Sequence, residues 1–317
     1  MTLEQLRIFV AVAEREHVTQ AARDLNLTQS ATSAAIAALE TRYATKLFDR
    51  IGRRIALTEA GRIFLTEAKA VLARASTAET VLADLAGLQR GTLSLAASQT
   101  IANYWLPSII HEFIARHPGI RITLSIGNTE TVSAQIHNGS TDLGFIEGEV
   151  EDGALAVQPI AEDQLILVAA PKHPWVMAQP VPIRDFPSAN WIWRERGSGT
   201  RAVTEAALQT LGLDARKFHI LLELPSNESV RAAVEAGAGV TIISRLVVWH
   251  ALNSGALLQI PFELPKRRFQ ILRHKERYIT QAQRALYQLI SDVSAARRDD
   301  GACLSPPLSR LSHCTRP

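Results

Sequence analysis

The segment Arg194–Arg201, with the sequence RERGSGTR, places a serine between two glycines and has an arginine at each end. Glycine lets backbone amides approach a ligand closely, and the hydroxyls of Ser198 and Thr200 add hydrogen-bond donors. Amides, hydroxyls and guanidinium groups together suit an anion. We therefore interpret the segment as a ligand cradle, with Arg194 or Arg201 as its charge. A solvated turn is the alternative.

An enzyme would need more than this segment offers. A phosphate-binding P-loop ends in Lys-Ser or Lys-Thr, which RERGSGTR lacks. A nucleophilic Ser198 would need a neighbouring base, and the nine histidines lie outside any recognisable catalytic motif. The only cysteines, Cys303 and Cys314, lie near the C-terminus and form no metal-spaced pair. The sequence predicts no catalytic residue, no metal site and no cofactor.

A second set of hydroxyls occurs in ASQTIANY, where a predicted strand ends and a helix begins. Ser98 and Thr100 there would lie beside free amides of a helix N-terminus, which favours anions. An ordinary N-cap is an equal alternative, although it needs only one hydroxyl. Asn128 and Asn227, at other strand-to-helix turns, are expected to line the same cleft, although turn chemistry alone would explain them.

Glu147 is the one carboxylate expected at this cleft. It would oppose an anion unless an arginine or a proton carried by the ligand compensates for its charge. It is expected either to pair with Arg194 or to lie at the rim.

These segments belong to a predicted α/β region that begins at Gly91. Short apolar strands such as TLSLAAS, IRITLSIG and DLGFIEG alternate with helices, and QLILVAAP begins a second block of the same kind. Alternation of this kind predicts a parallel sheet, with ligands at the carboxyl ends of its strands. We expect two lobes with a cleft between them: lobe I from 91–162 and 268–296, and lobe II from 163–267. Residues 297–317, rich in Ser, Pro and Arg, are predicted to be disordered.

The first hundred residues follow a different pattern, because none of the 14 prolines precedes Pro107. Thr2 and Gln5 form a predicted capping box for a first helix. A second helix over 19–25, a turn at Asn26 and Leu27, and a third helix over about 28–43 complete a helix-turn-helix, with Ala31, Ala35, Ile36 and Leu39 facing inward. Residues 46–57 are predicted to form a wing, which closes a domain over 1–58.

The third helix would enter the major groove of double-stranded DNA. Its candidate contact residues are Thr28, Gln29, Ser30, Thr32 and Ser33, of which Gln29 can pair with adenine and Thr28 is better explained as a cap. Five basic residues lie between Arg42 and Arg54 against one acid, Asp49. From this cluster, Arg50, Arg53 and Arg54 are expected to contact phosphates, with a solvated surface as an equal alternative on charge alone.

A long helix is predicted over 59–90. Its apolar residues Phe64, Ala68, Val71, Ala75, Ala78, Leu82 and Leu85 step alternately by four and three. This is a heptad pattern, which favours a dimer seam. The alternative is a helix lying on its own domain's core.

The composition is that of a globular protein, with 47% hydrophobic and 21% charged residues and a net charge of only +3. The sequence contains no apolar run of 18 residues, so we expect no membrane span. The amphipathic start, with Glu4, Glu14 and Glu16, is unlike a signal peptide. We expect a cytoplasmic protein.

The chain resembles the LysR-type transcriptional regulators through LEQLRIFVAVAE, TQAARDLNLTQSATSAAIAALE and LFDRIGRRIALTEAG, followed by the long helix. The resemblance spans about 1–296. It implies a winged helix-turn-helix, a linker helix that dimerises, and a two-lobed periplasmic-binding-protein-like effector domain, in homodimers or homotetramers. SAAIAALE, ASQTIANYWLP, GFIEGE, RERGSGTR and SNESVRAAVEAGAGVTIISR resemble a branch related to regulators of sulfur metabolism, some of which resemble sulfite sensors.

The sequence thus predicts a transcriptional regulator that responds to a small anion, either sulfite or a similar oxyanion, or a small organic acid. A solute-binding protein would explain the lobes but not the helix-turn-helix. A small-molecule enzyme would need catalytic groups that the sequence does not offer.

Overall fold

The computed structural model describes residues 1–51, 54–85, 91–178 and 180–299. It divides into two compact units, one of residues 1–85 with 138–140 and one of the remaining residues. In the described chain, no helix is both long and apolar enough to cross a membrane.

The first unit is helical. Its helices are α1 (Leu3–Arg15), α2 (Val18–Asp24), α3 (Gln29–Tyr43) and α4 (Glu59–Leu85), and strands β1 (Phe48–Ile51) and β2 (Arg54–Leu57) pair as an antiparallel wing. The predicted capping box is present, because Thr2 accepts the Gln5 amide and Gln5 accepts the Thr2 amide. Asn26 adopts a left-handed conformation (φ 55°) in the turn before α3. The winged helix-turn-helix expected from the sequence is confirmed.

Helix α3 packs through Thr32, Ile36 and Leu39, which are spaced four and three residues apart and are all buried. The sequence prediction placed Ala31 inward instead, and this was wrong, since Ala31 is exposed. A threonine takes the inward position because its hydroxyl donates to the Thr28 carbonyl at 3.1 Å, which removes the cost of burying it.

Helix α4 divides its heptad pattern between two environments. Phe64 and Ala68 pack in the core of this unit, with the rings of Phe64 and Phe9 4.8 Å apart. Val71, Leu82 and Leu85 are exposed, with Leu82 and Leu85 at 69%. The first turns of α4 therefore lie on their own domain's core, as the alternative interpretation expected, and only the later apolar residues remain uncovered. Residues 86–90 of the predicted linker lie outside the described chain.

The second unit contains α/β lobes built on one nine-stranded sheet. Its strands are β3 (Gly91–Ser98), β4 (Ile120–Gly127), β5 (Leu143–Glu147), β6 (Leu155–Ala169), β7 (Trp191–Arg194), β8 (Ile220–Leu224), β9 (Val240–Ser244), β10 (Leu258–Ile260) and β11 (Lys266–His274). Its helices are α5 (Gln99–Tyr104), α6 (Leu106–Arg116), α7 (Thr129–Asn138), α8 (Pro174–Met177), α9 (Gly199–Thr210), α10 (Asn227–Glu235), α11 (Arg245–Asn253) and α12 (Gln281–Asp299).

The sheet is mixed rather than wholly parallel. Strand β3 is parallel to β4 and β5, and β7 is parallel to β8 and β9, as expected. Strand β11 instead runs antiparallel to both β5 and β6, and β6 runs antiparallel to β9. The reason is that β6 and β11 connect the lobes: β6 leaves lobe I, β11 returns to it, and two strands that run in opposite directions pair antiparallel.

Candidate ligand-binding cleft and DNA-binding surface

Two helices begin at the cleft between the lobes with a serine at the N-cap. Ser98 ends β3 and precedes α5, and Ser198 precedes α9. Both serines are 3% exposed, yet neither hydroxyl bonds to the amides of its own helix. The Ser98 Oγ makes no hydrogen bond within the described chain. An ordinary N-cap hydroxyl would accept a hydrogen bond from one of these amides, so neither serine hydroxyl acts as an N-cap.

Arg267 on β11 connects the hydroxyls of the two lobes. Its Nη1 donates to Thr200 Oγ1 at 2.9 Å and its Nη2 donates to Thr100 Oγ1 at 3.3 Å. Its Nε and Nη2 both lie 2.7 Å from Asp163 Oδ2. The side chain of Arg267 is 1% exposed and that of Asp163 is fully buried. The guanidinium at the centre of the cleft is therefore Arg267.

Arg194 does not serve as the free charge that the sequence suggested. Its Nε and Nη2 form a fork on the Glu195 carboxylate at 2.7 and 2.9 Å, and its Nη1 donates to Asn227 Oδ1. Burial opposes the charge of Glu195, but the hydrogen bond and charge of Arg194 outweigh it and lower the pKa of this carboxyl. Arg194 is neutralised by its own neighbour in the chain.

Arg201 is also committed to partners away from the hydroxyls. Its Nε donates to Glu205 at 2.8 Å and its Nη1 to Glu223 at 2.5 Å, and its guanidinium lies 5.3 Å above the Trp193 ring. Burial works against its charge, but Glu205 and Glu223 outweigh burial and raise the pKa of Arg201. Arg201 anchors helix α9 rather than providing a free cation.

Glu147 lies inside the cleft and not at its rim, because its side chain is 3% exposed. Its Oε1 is 3.7 Å from Arg267 Nη2 and makes no hydrogen bond within the described chain. The expected pairing with Arg194 was wrong, since Glu195 occupies that arginine. An arginine does compensate Glu147, but it is Arg267.

Asn227 and Asn128 both line the cleft, in different ways. Asn227 is fully buried, and its Nδ2 donates to Thr100 Oγ1 at 3.0 Å. Asn128 caps helix α7 by accepting the Thr131 amide at 2.9 Å, and its Nδ2 reaches Glu195 in lobe II at 3.3 Å. Turn chemistry explains most of Asn128, whereas Asn227 is a buried hydrogen-bonding group of the site.

The glycines of RERGSGTR allow the lobes to approach each other. Gly197 has φ 83°, and its carbonyl accepts the Glu130 amide at 3.3 Å. A Cβ at Gly199 would overlap the Glu147 carbonyl and would lie 2.6 Å from Thr129 Oγ1. Glycine is therefore required here by the opposite lobe, and not only by a ligand as the sequence suggested.

A second set of contacts joins the lobes beside the hydroxyls. Gln99 accepts the Asn227 amide at 2.9 Å and donates to the Pro225 carbonyl at 2.6 Å. Tyr104 Oη donates to Glu228 Oε1 at 2.9 Å, and burial, followed by Glu228, raises the pKa of Tyr104. The lobes are thus closed on each other in this structure.

Sequence reasoning missed Arg267 and Asp163. Both occupy inward positions of strands whose other inward residues are apolar, such as Phe269 on β11 and Leu165 on β6. They are also direct cross-strand partners in the β6–β11 register. A charged residue in the apolar phase of a strand, matched by an opposite charge in another strand, was the signal that could have found them.

The start of α3 presents its polar side chains unevenly. Gln29, Ser30 and Ser33 are exposed. Thr28 is exposed but caps the helix by accepting the Ala31 amide at 3.1 Å. Thr32 is fully buried and its hydroxyl is bonded within the helix. The prediction that Thr32 contacts DNA is therefore wrong. Arg53 lies outside the described residues, as do the side chains of Arg50 and Arg54.

Family models match almost the whole chain. One described as a bacterial regulatory helix-turn-helix protein of the lysR family matches residues 3–62, and one described as a LysR substrate binding domain matches 86–295. The uncharacterized HTH-type transcriptional regulator YeiE of Escherichia coli K12 is 35% identical over 299 residues, which cover 94% of this chain and 99% of that protein. Other relatives are probable RuBisCO transcriptional regulators, so the similarity is not specific to regulators of sulfur metabolism.

Solved structures agree with the fold. Full-length CbnR complexed with its target DNA has a TM-score of 0.68 at 21% identity, covering 93% of this chain and all of that one. The Synechocystis PCC6803 CcmR regulatory domain in complex with 2-PG has a TM-score of 0.59 at 26% identity, covering 64% of this chain and 97% of that domain. The relatives are named as transcriptional regulators, which is not an enzymatic role. The chain belongs to the LysR family of transcriptional regulators.

Proposed function

We propose that this regulator responds to a small anion bound between the hydroxyls of Ser98, Thr100, Ser198 and Thr200. The observation that carries the proposal is the pair of buried N-cap serines whose hydroxyls do not bond to the amides of their own helices. Free amides at a helix N-terminus favour negative charge, and α9, with 12 residues, has a full helix dipole behind them.

The hydrogen-bond network supports an acceptor-rich ligand. Thr100 Oγ1 already accepts from Arg267 and Asn227, and Thr200 Oγ1 accepts from Arg267. A hydroxyl that accepts in this way still has its own proton to donate. Both threonines therefore offer O–H donors to the cleft, and such donors match the oxygens of an oxyanion or a carboxylate.

Glu147 narrows the class of ligand. Its buried Oε1 lacks a hydrogen bond, which is costly unless a donor satisfies it. A ligand with one proton-bearing oxygen would donate there while its other oxygens accept from the hydroxyls. Sulfite in its protonated form is the first candidate, from the resemblance of the cleft motifs to the sulfur-related branch. A small organic acid is the second, supported by the complex of the CcmR regulatory domain with 2-PG.

Calorimetric titration of the purified protein with sulfite, sulfate, phosphate and a panel of small carboxylates tests the proposal. We expect at least one of these anions to bind, and Ser98→Ala, Thr100→Val and Ser198→Ala each to weaken it. Loss of one hydrogen bond to a charged group costs about 1.5–3 kcal/mol, or roughly 10- to 150-fold in affinity.

Thr210→Val is the matched control, because Thr210 ends α9 and its hydroxyl donates to the Ala207 carbonyl of its own helix. It should leave anion affinity unchanged. Equal affinity of all variants for a bound anion would show that the hydroxyls are not ligand donors. Failure of every anion to bind would refute the anionic effector itself.

On the DNA side, we propose that Gln29 reads a base while Ser30 and Ser33 contact the phosphates beside it, with Arg50, Arg53 and Arg54 on the wing.

We further propose a division into a DNA-binding domain (1–58), a linker helix (59–90) and an effector domain (91–296). The exposed apolar residues at the end of α4 support a homodimer or homotetramer, since Val71, Leu82 and Leu85 would otherwise face water.

Sedimentation of Leu82→Glu tests the seam, with Glu79→Gln, an exposed change on the same helix, as its control. We expect the Leu82 variant to dissociate, because burying unpaired like charges costs several kcal/mol. An unchanged oligomer in the Leu82 variant would place the assembly contacts elsewhere.

A further inference from the structure

Asp163 and Arg267 form a buried ion pair that two adjacent strands bring together. They are direct partners in the antiparallel register of β6 and β11, the two strands that connect the lobes. The Arg267 side chain is 1% exposed and the Asp163 side chain is 0% exposed. A buried ion pair is weak as a stabilising device, because apolar residues of similar volume often do as well or better. Stability alone therefore does not account for the pair.

The geometry of the pair leaves part of the guanidinium available to the cleft. Nε and Nη2 share a single oxygen, Asp163 Oδ2, while Nη1 and Nη2 face the threonine hydroxyls. The other oxygen, Oδ1, accepts the Ser244 hydroxyl at 2.8 Å, and Ser244 in turn accepts the Leu246 amide at 3.2 Å. Both oxygens of Asp163 are therefore fixed by partners, and the carboxylate fixes the orientation of Arg267.

The charges around Arg267 do not balance in favour of an anion. Two carboxylates, Asp163 at 2.7 Å and Glu147 at 3.7 Å, face this one guanidinium. Burial raises the pKa of Asp163 against the opposing effect of Arg267 and Ser244, and the charge of Glu147 adds to the increase. An incoming anion meets an arginine whose charge is already compensated.

We propose that Asp163 is an internal counter-ion that sets effector affinity: it positions Arg267 towards Thr100 and Thr200 and, by neutralising it, keeps the cleft from binding anions as tightly as it otherwise would. This inference rests on the proposed anion site. It assigns to Asp163, which does not face the threonine hydroxyls itself, a positioning role that acts through Arg267. A regulator needs an affinity matched to the working concentration of its ligand. The fixed carboxylate of Asp163 behind Arg267 sets that affinity.

Asp163→Asn separates position from charge. Asparagine keeps the shape of the side chain and an oxygen for Arg267, but removes the competing charge. We expect calorimetric titration to show sulfite and sulfate binding at least tenfold more tightly than in the wild type, because removing one like charge within about 10 Å at an effective dielectric constant of about 20 is worth tenfold or more. A purely structural pair would instead lose stability in Asp163→Asn with no gain in affinity.

Glu162→Gln is the matched control, because it removes one negative charge at the next position of β6, where the side chain faces solvent beside Lys266. It should leave anion affinity unchanged. Unchanged or weaker anion binding by Asp163→Asn, with the wild type binding normally, overturns the counter-ion role alone. If neither the wild type nor Asp163→Asn binds sulfite or sulfate, this inference is overturned, and so is the proposal that the cleft binds these oxyanions.

Asp163→Ala provides a second variant in case the asparagine does not fold. The truncation leaves a space the size of a carboxylate beside Arg267, which formate would fit. Formate should then raise the melting temperature of Asp163→Ala saturably and well above its effect on the wild type. Equal effects of formate on the two proteins would show that the position opposite Arg267 does not act as an anion site.

Discussion

The start of α3 and the start of α9 use similar residues in opposite ways. Thr28 bonds to the third amide of its helix and remains exposed to solvent. Ser198 is buried and its hydroxyl does not bond to the amides of its own helix, and the same holds for Ser98 before α5. Ser226 and Ser244, in the same lobe as Ser198, do cap their helices. What distinguishes Ser98 and Ser198 from these serines is therefore a buried hydroxyl that does not bond to its own helix, and not the residue type.

The largest effect on the free energy of unfolding is expected at Arg267, the cation at the centre of the cleft. Arg267→Met would leave Asp163 and Glu147 buried without their cation, which costs about 3–5 kcal/mol of unfolding free energy. Chemical denaturation would measure this, with Arg121→Met on the exposed side of β4 as the control. A loss no larger than that of the control would mean that the cleft tolerates unpaired charge and that the comparison with α3 is misplaced.

A smaller effect, on DNA affinity and not on stability, is expected at the exposed start of α3. Gln29→Ala should reduce discrimination between the operator and random sequence by about 1–3 kcal/mol, the size of one bidentate base contact. Its unfolding free energy should change little, since Gln29 is exposed. Affinities for both DNAs across a salt series would measure the change. An equal loss on both would exclude base reading by Gln29.

Thr28→Ala and Ser98→Ala compare the two kinds of helix start directly. Thr28→Ala should destabilise its unit by about 1 kcal/mol, because it removes a working N-cap. Ser98→Ala should cost nothing or stabilise slightly, since the hydroxyl that it removes is buried without a partner. Urea unfolding of both variants would measure the difference. A loss in Ser98→Ala equal to that in Thr28→Ala would show that Ser98 is an ordinary cap.

The smallest effect concerns the contact between Tyr104 and Glu228. Burial opposes the charge of Glu228, but hydrogen bonds from its own amide, Tyr104 and Ser226 outweigh it and lower the pKa of Glu228. A lowered pKa in the folded state gives stability that is present above the ordinary pKa of glutamate and lost as pH falls through the folded value. Glu228→Gln should therefore cost about 1 kcal/mol or less at pH 7.

Thermal unfolding at pH 7 and at about pH 3 would check this, because the difference between Glu228→Gln and the wild type should shrink at the lower pH. Glu149→Gln, which changes an exposed carboxylate, is the control. A difference that does not depend on pH would assign the effect to packing.

Local rules predicted the first unit well. The capping box of Thr2 and Gln5, the turn at Asn26 and the wing each depend on residues close together in sequence. The exchange of Ala31 for Thr32 at the inward face escaped prediction because a single hydrogen bond to the preceding turn makes a buried threonine acceptable.

The cleft was predicted in its hydroxyls and not in its charges. Ser98, Thr100, Ser198 and Thr200 stand in local strand-to-helix motifs, which a sequence displays. The partner of Arg194 is its neighbour Glu195, and that of Arg267 is Asp163, 104 residues earlier in the chain. Which arginine faces the threonine hydroxyls depends on strand register across the lobes, and motifs alone do not give that register.

The return of β11 to lobe I has a consequence for synthesis of the protein on the ribosome. Strand β5 pairs with β11, and α12 contributes Leu286, Leu289 and Ile290 to the core of lobe I. These segments are translated more than a hundred residues after β5. The helices and wing of the helix-turn-helix contact one another within residues 1–85, whereas lobe I must wait with one sheet edge unpaired until β11 has been made. A nascent chain stopped before residue 266 would carry a finished DNA reader and an unfinished sensor.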